Sequence, residues 1–341
     1  MPNPQTLPTL ETGFILDMHV HVAGIGVDSG CYISPNLLNN WRYALYLKAF
    51  NVSRKNIEQY GDAILIKRIG ESLRESRFVN GALLLALDKV YDSVSHEPDH
   101  ELTEVYIPNE FIRDEITSFP SLHYGASVNP YRRDWQEELQ RVHDDNALLI
   151  KWLPALQHID PSDPTIIPFY QRLKELGLPL LVHTGAERSF PSSHDALGDP
   201  QLLHLPLREG VTVIAAHVAT TGKKDGIEYI DRLLPMLEQY DNLYADISSL
   251  TQINKRKYPH QVLGRRDLFP KLLFGSDFPL TNIGAGPFRL VSPWYFFPTL
   301  PLQKIIQLSR EKNVWDRDVL LKHALGFPVE IFTRSAKLLL K

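Results

Sequence analysis

Cysteine is almost absent from this chain, and other common features are missing altogether. Cys31 is the one cysteine among 341 residues, which excludes an intrachain disulfide and favours a reducing compartment, the cytoplasm. The opening stretch, MPNPQTLPTLETG, lacks the charged and apolar regions of a secretory signal, so we expect none. No apolar run reaches the roughly 18 residues that a transmembrane helix needs. The sequence therefore predicts a soluble protein.

Charge gives no sign of a polyanionic partner. The 36 basic and 40 acidic residues leave a formal net charge of -4 and a sequence pI near 6.4. A protein that bound nucleic acid or an anionic membrane through its overall charge would be basic, so neither partner is expected. A hydrophobic fraction of 43% and a charged fraction of 22% are typical of an ordinary globular protein.

Short apolar runs recur along the whole chain. Most are continuous rather than alternating, a pattern typical of parallel strands that are buried on both faces. Amphipathic, charged stretches such as YRRDWQEELQRVHDD separate them, as expected for helices. The eight runs are FILDMHV (14–20), VNGALLLAL (79–87), LHYGASV (122–128), ALLIKWL (147–153), LPLLVH (178–183), VTVIAAH (211–217), NLYADIS (242–248) and KLLFGSD (271–277).

This alternation predicts the fold. Eight strands separated by helices, with no break in composition, indicate an α/β protein with one (β/α)8 TIM barrel and a single domain over residues 1–341. Long connections, 23–78 and 87–122, follow strands 1 and 2. Because loops after barrel strands lie over the active face, we predict that both cover the site. Residues 299–341 are predicted to form extra C-terminal helices that pack outside the barrel.

Two histidines interrupt the first apolar run. His19 and His21 are two residues apart, and in a strand such residues point to the same side. Buried polar groups without a partner are costly, so these imidazoles are expected to share a ligand or to have hydrogen-bonding partners.

Further ionisable residues stand at or near the ends of later predicted strands. Barrel active sites are built at the carboxyl ends of the strands, so we expect these side chains to meet His19 and His21 there. Several imidazoles with one carboxylate suit a divalent transition metal such as zinc. The later residues are Lys151 on strand 4, His183 on strand 5, His217 on strand 6 and Asp277 on strand 8.

The ordered series resembles the amidohydrolase superfamily, specifically the amidohydrolase-related branch of metal-dependent hydrolases and decarboxylases. The resemblance covers most of the chain, through DMHVH, KWLP, LLVHTGAE, VIAAHVAT, YADIS and LLFGSDFPL. It weakens in the two long connections and at the C-terminus, the segments that decide the substrate.

Position by position, the resemblance implies that His19, His21, His183 and Asp277 bind one divalent metal, with zinc the expected ion. His217 would stand beside the metal and polarise an oxygen of the substrate or transition state. Asp277 would take the proton of a metal-activated water and pass it to the leaving group.

Lys151 has three interpretations. In parts of the superfamily a strand-4 lysine is carboxylated and bridges two metals, and the histidines of strands 5 and 6 bind the second. In this branch one metal is more usual, and the lysine then binds a substrate carboxylate or pairs with an acid. The third interpretation is a lysine that reaches past the rim to solvent. We predict one metal, with Lys151 contacting the substrate.

Two more residues are candidates for supporting roles. Arg188, soon after His183, suits a bidentate contact with an anionic group of the substrate, and a solvated loop arginine is the alternative. Asp246, in YADIS, suits a carboxylate that orients a histidine N–H.

The resulting prediction is an enzyme that hydrolyses an amide, ester or lactone bond of a small molecule through a metal-activated water. The predicted partners are a small-molecule substrate that is compatible with an anionic group, and further copies of the chain in a homo-oligomer. The alternative is a non-oxidative decarboxylase of an aromatic or unsaturated carboxylic acid, which would use the same ligands. A non-catalytic barrel scaffold would be expected to lack some of the metal-binding residues, and this sequence has all of them.

Overall fold

A computed structural model describes residues 13–187 and 193–340. All eight predicted apolar runs contain a parallel strand. The strands are β1 (Leu16–His21), β2 (Gly81–Leu85), β3 (Leu122–Gly125), β4 (Ile150–Trp152), β5 (Leu180–Val182), β6 (Val213–Ala215), β7 (Leu243–Asp246) and β8 (Leu272–Leu273).

The strands close into a barrel. β1, β2 and β3 form one parallel group, and β4 to β8 form a second in chain order. Parallel bridges join the groups on both sides, between Ala126 and Ile150 and between Val20 and Phe278. The predicted TIM barrel is therefore confirmed.

Helices follow the strands, and some of them lie within the two long connections. They are α1 (Pro35–Leu38), α2 (Trp41–Ala49), α3 (Arg54–Tyr60), α4 (Ala63–Arg74), α5 (Asn109–Glu115), α6 (Trp135–Asp144), α7 (Pro154–Gln157), α8 (Ile167–Leu176), α9 (His204–Arg208), α10 (Tyr229–Gln239), α11 (Tyr258–Leu263), α12 (Leu302–Ser309), α13 (Val314–Leu325) and α14 (Val329–Leu339). Within the described ranges, every helix is too short or too polar to cross a bilayer.

The barrel interior is a layer of aliphatic side chains that supports the site. One buried cluster collects alternate residues of the strands, and the opposite faces pack against the helices in a larger cluster. Because alternate residues of a strand share a face, Lys151 follows Leu149 into the interior, and Asp246 follows Tyr244. The interior cluster includes Leu16, Met18, Leu83, Leu85, Leu149, Leu181, Ile214 and Leu273.

The two long connections are tied to each other and to the barrel mouth. Tyr32–Ile33 of the first pairs antiparallel with Val105–Tyr106 of the second. At the end of α2, the ring of Phe50 packs edge-on against Phe278, with centroids 5.3 Å apart. Phe278 is the neighbour of Asp277, so the first connection reaches the carboxyl end of β8, as predicted for a covering segment.

The C-terminal helices pack on the barrel, as predicted, and one also contributes to its interior. α14 contacts β1 and β8, and its Ala336 and Leu339 join the interior cluster. From α13, the fully buried Lys322 donates a hydrogen bond of 2.8 Å to the carbonyl of Gly275.

Several strands are shorter than predicted. β5 ends at Val182, one residue before His183. β6 ends at Ala215 and β8 at Leu273, so His217 and Asp277 lie in the loops that follow. Both have a left-handed backbone, with φ of 59° and 70°, and Val218 after His217 shares it at 50°. Such conformations cost about 1–3 kcal/mol each for residues other than glycine and cluster at functional sites. Both predicted site residues thus lie in turns that directly follow their strands.

Candidate metal centre

A compact group of ligand atoms lies over the barrel interior. His19, His217 and Asp277 are all buried, and each offers one ligand atom within 4.8 Å of the others. The Nε2 of His19 is 3.9 Å from Asp277 Oδ1, and the Nε2 of His21 is 3.1 Å from the same oxygen. The expected convergence of strands 1, 6 and 8 is therefore present.

His19 and His21 project together, as their spacing predicted. Their ring centroids are 5.0 Å apart. The hydrogen-bonding register of β1 with β2 shifts between Asp17 and Val20, so this part of the strand is irregular. His19 is fully buried, whereas the side chain of His21 is 25% exposed. His21 is thus the more accessible of the two imidazoles.

His183 borders the compact group without belonging to it. Its ring meets that of His217 edge-on, with centroids 4.9 Å apart, and its Nε2 is 3.6 Å from an oxygen of Glu187. The structure thus places all four predicted metal ligands and His217 in one neighbourhood. The tightest three-residue set, however, contains His217 rather than His183.

Lys151 is inside the site. Its side chain is fully buried, and its Nζ is 3.3 Å from His19 Nε2. Burial lowers the pKa of Lys151 to about 8. The interpretation of Lys151 as a lysine that reaches past the rim to solvent is therefore wrong. Lys151 lies on the interior face of β4, so its side chain points into the barrel.

Asp246 links two of the imidazoles. Its Oδ2 lies 2.8 Å from His19 Nδ1, and its Oδ1 accepts the backbone N–H of His217 at 3.0 Å. The same oxygen accepts the backbone N–H and the hydroxyl of Ser248. Burial alone would raise the pKa of Asp246, but His19, His217 and the Ser248 hydroxyl hold it well below its ordinary value. The expected orienting contact with a histidine is confirmed.

These contacts assign the proton of each imidazole. Because the Asp246 carboxylate accepts hydrogen bonds only, Nδ1 of His19 carries the hydrogen. Nδ1 of His217 lies 3.3 Å from the carbonyl of Ser248 and 2.7 Å from its hydroxyl, which itself donates to Asp246. Nδ1 of His217 is therefore also protonated. In both rings the lone pair is therefore on Nε2, and that of His19 faces the Lys151 ammonium at 3.3 Å.

The charge state of the group follows from burial. Burial, and next the Lys151 ammonium, lower the pKa of His19 to about 4. Burial also holds the pKa values of His183 and His217 well below the ordinary value of histidine. Burial would raise the pKa of Asp277, but His217 and the contact with His21 hold it well below that of a free carboxyl. Neutral imidazoles and an ionised carboxylate are the forms that bind a metal.

Several residues around the site were not predicted from the sequence. Lys255 is only 8% exposed, and its Nζ donates to the hydroxyl of Ser249, which lies 3.3 Å from His217 Nδ1. Ser248 supports His217 as described above. SSLTQINK follows strand 7, but its composition resembles any polar loop, so no signal distinguished these residues. Arg188, a predicted substrate contact, lies outside the described residues.

Comparisons with known proteins bear on the family to which the chain belongs. A family model described as Amidohydrolase matches residues 132–304, which is about half of the chain. The chain belongs to this amidohydrolase family. The match contains Lys151, His183, His217 and Asp277, whereas the histidines of β1 lie before it. A comparison with curated proteins finds no match.

Solved structures share the fold at low sequence identity. An uncharacterised TIM-barrel protein from Bordetella bronchiseptica is 13% identical, with a TM-score of 0.56 over 92% of this chain and 100% of that one. A probable 2-pyrone-4,6-dicarboxylic acid hydrolase from Acinetobacter baumannii is 16% identical, with a TM-score of 0.49 and coverage of 94% and 99%. At 13% identity the likeness to the Bordetella bronchiseptica protein shows the barrel fold alone.

The residues present fit a divalent metal. One ring nitrogen from each of two buried histidines and one carboxylate oxygen converge within 4.8 Å, with His21 and His183 beside them. Nitrogen donors with a carboxylate suit a transition metal better than magnesium or calcium, which prefer oxygen ligands. A histidine ligand whose other nitrogen donates to a carboxylate, as His19 does to Asp246, is the usual arrangement around such metals.

Proposed function

We propose that this protein is a metal-dependent hydrolase that cleaves an amide, ester or lactone bond of a small molecule. The observation that carries the proposal is the buried group of His19, His217 and Asp277 at the carboxyl ends of the barrel strands. Membership of the amidohydrolase family supports it. The cytoplasm stays the proposed compartment, on the strength of the single cysteine.

In this proposal His19, His21, His183 and Asp277 hold one divalent ion, with zinc as the first candidate. When bound, the metal would supply a Lewis acid and a water of lowered pKa. The proposal keeps Lys151 uncarboxylated and in contact with the substrate. Its ammonium lies 3.3 Å from His19 Nε2, and it would give up that contact to the substrate when the nitrogen binds the ion.

Asp277 is the proposed proton carrier. Its carboxylate is ionised and has the His21 imidazole 3.1 Å away. The same oxygen lies 3.9 Å from His19 Nε2, so the carboxylate borders both histidines of β1. There it would accept a proton from the attacking water and return it to the departing amine or alcohol.

His217 is proposed as a catalytic residue, with a role set by its tautomer. Because Nδ1 donates to Ser248, Nε2 offers a lone pair. Such a nitrogen accepts a proton or binds a metal, whereas polarising a substrate oxygen by a hydrogen bond would require a second proton on the ring. The geometry therefore favours a proton acceptor or a fifth ligand over the predicted donor.

The proposal is tested by metal analysis together with a substrate panel. Purified protein is expected to contain about one equivalent of a transition metal and to hydrolyse at least one member of a panel of lactones, esters and amides. His19→Ala with His21→Ala should remove both metal and hydrolysis and leave the barrel folded. Protein without metal after reconstitution, or full hydrolysis by the double variant, contradicts the proposal.

Decarboxylation is the second candidate, favoured by one observation. A buried ammonium beside the donor group, Lys151 Nζ at 3.3 Å from His19 Nε2, is well placed to hold a carboxylate. Release of carbon dioxide from aromatic or unsaturated acids, without hydrolysis of the panel, would select this candidate. Both reactions place the same demands on the metal ligands, so product analysis decides between them.

A further inference from the structure

Arg317 is a buried cation that forms no ion pair with any of the described residues. It lies on α13 and is only 2% exposed. Its guanidinium donates to the carbonyls of Glu311 and Thr281 at 3.4 Å and to Asn282 Oδ1 at 3.3 Å. Ordinary N–H···O hydrogen bonds are about 2.7–3.2 Å long. All three contacts are therefore long, and they satisfy the charge poorly.

The neighbouring carboxylates are bound to other cations. Asp318 and Glu311 are the two carboxylates whose charges raise the pKa of Arg317. Asp318 pairs with Lys322 at 2.6 Å, and Glu311 pairs with Arg77. Arginine stays protonated at neutral pH, and a buried charge without a counter-ion is costly. The charge of Arg317 therefore calls for an anion.

Arg289 brings a second guanidinium to the same place. The carbonyl of Ile283 accepts the N–H of Leu290 at 2.9 Å, so Arg289 lies beside the turn that Arg317 contacts. The Nε of Arg289 is buried and has no hydrogen-bond partner in the described part of the chain. Burial, and next the charge of Arg289, lower the pKa of Arg317 to about 10. Two like charges thus lie close together.

A buried hydroxyl of the same turn also lacks a partner. Thr281 lies in the single turn Leu280–Asn282 after β8 and is 1% exposed. Within residues 13–187 and 193–340, its Oγ1 has no hydrogen-bond partner, although its carbonyl accepts from Arg317. A hydroxyl is a donor as well as an acceptor. Donors from three segments of the chain are therefore gathered at this turn.

These three side chains are separate from the metal centre in their contacts. Across the described residues, no hydrogen bond or ion pair joins any of them to a proposed metal ligand. Trp315 of α13 stacks on Phe278, with ring centroids 4.8 Å apart, so α13 packs against the chain just after Asp277. A ligand between α13 and the turn would tie the two together.

We propose that Arg289, Arg317 and Thr281 form a binding site for a phosphate group, outside the metal centre. Guanidinium groups match the oxygens of phosphate in their geometry. A tetrahedral phosphate offers acceptor oxygens in several directions, which suits donors from three segments better than the two oxygens of a planar carboxylate. Its negative charge would offset the repulsion between the two arginines. The site does not depend on the proposed hydrolysis.

The test is calorimetric titration of the full chain, with its metal content measured, using inorganic phosphate, glycerol 1-phosphate and chloride at equal ionic strength. The wild type is expected to bind at least one of the two phosphates more tightly than chloride. Preference for inorganic phosphate assigns the free ion, and preference for the ester assigns the phosphate group of a small molecule. Arg289→Gln should weaken phosphate binding by about tenfold or more, the usual scale of a lost charge-assisted contact.

Arg310→Gln is the matched control. Arg310 is exposed at the end of α12, so the same change of charge there should leave phosphate binding as it is. If Arg289→Gln fails to fold, Thr281→Val is used instead, because it keeps the shape of the side chain and removes the hydroxyl. Weaker phosphate binding is again expected.

Two results overturn the inference. In the first, the wild type binds neither phosphate more tightly than chloride. In the second, the folded Arg289→Gln protein (Thr281→Val in its place) binds phosphate like the wild type, which would place the phosphate elsewhere, for example at the metal centre. Failure of metal uptake or of hydrolysis bears on the proposed function alone.

Discussion

Asp246→Asn should weaken metal binding through His19, although Asp246 is not itself a proposed ligand. One carboxylate oxygen faces Nδ1 of His19 at 2.8 Å, and the other accepts the backbone N–H groups of His217 and Ser248. Asparagine has the same shape but replaces one acceptor oxygen by an NH2 donor. One of these two sets of donors must then face another donor.

The cheaper arrangement determines the size of the effect. If the NH2 group faced the backbone, it would meet three other donors, the two N–H groups and the Ser248 hydroxyl. The amide is therefore expected to place its NH2 group next to His19, where it meets only one. Nδ1 of His19 then has to accept, and its proton moves to Nε2, the atom that faces Asp277. Loss of such an outer partner costs about 10- to 100-fold in metal affinity, or roughly 1.4 to 2.7 kcal/mol. Because the tautomer itself is reversed, we expect the upper end.

The assay is competition for zinc between the protein and a chromophoric chelator. Asp241→Asn is the control, since this fully exposed aspartate precedes the same strand and should not change the affinity. An Asp246→Asn protein that is folded and binds zinc as tightly as the wild type would refute both the tautomer assignment and the proposed ligand role of His19.

Other variants test the remaining roles. Asp277→Asn should keep most of the metal and lose about a hundredfold or more in turnover; wild-type turnover would exclude it as the proton carrier. His217→Asn should lose turnover, and metal lost in proportion would make His217 a ligand. Lys151→Met should keep the metal and weaken substrate binding, so full activity would exclude its proposed contact. Metal-free protein should lose stability as pH falls from about 6.5 to about 4, because the unfolded state takes up the His19 proton in this window and the folded state does not. Denaturation curves at the two pH values should show that the free energy of unfolding falls less in His19→Asn than in the wild type, by up to about 3 kcal/mol. An equal fall in both proteins would show that His19 does not cause it.

The barrel could be predicted from the sequence because its signals are local. Each strand is a short apolar run bounded by polar residues, and continuous burial on both faces distinguishes parallel strands. The two-residue spacing of His19 and His21 fixed their common side in the same way. Alternation along β4 also predicts that Lys151 points into the barrel, since Leu149, two residues before it, lies in the interior cluster.

The details of the centre depend on contacts between distant segments. The spacing of histidines does not reveal that Asp246 meets His19, 227 positions away, or that Ser248 fixes the tautomer of His217. Strand length was overestimated at β6 and β8, because the apolar runs continue into the turns that carry His217 and Asp277. Lys255 lies in a run whose composition indicates a solvated loop, and only packing shows its burial.

The centre is best understood as an arrangement that opposes the stability of the fold. Burying His19, His183 and His217 lowers their pKa values, and burying Lys151 does the same, so each charged form is disfavoured by folding. The left-handed backbone at His217, Val218 and Asp277 adds conformational cost. An aliphatic interior alone would fill the barrel without these costs. Groups that are expensive to bury, gathered at the carboxyl ends of the strands, are therefore better explained by the metal and the substrate that they would bind than by any contribution to folding. A bound metal should raise the melting temperature, because it binds the folded state alone.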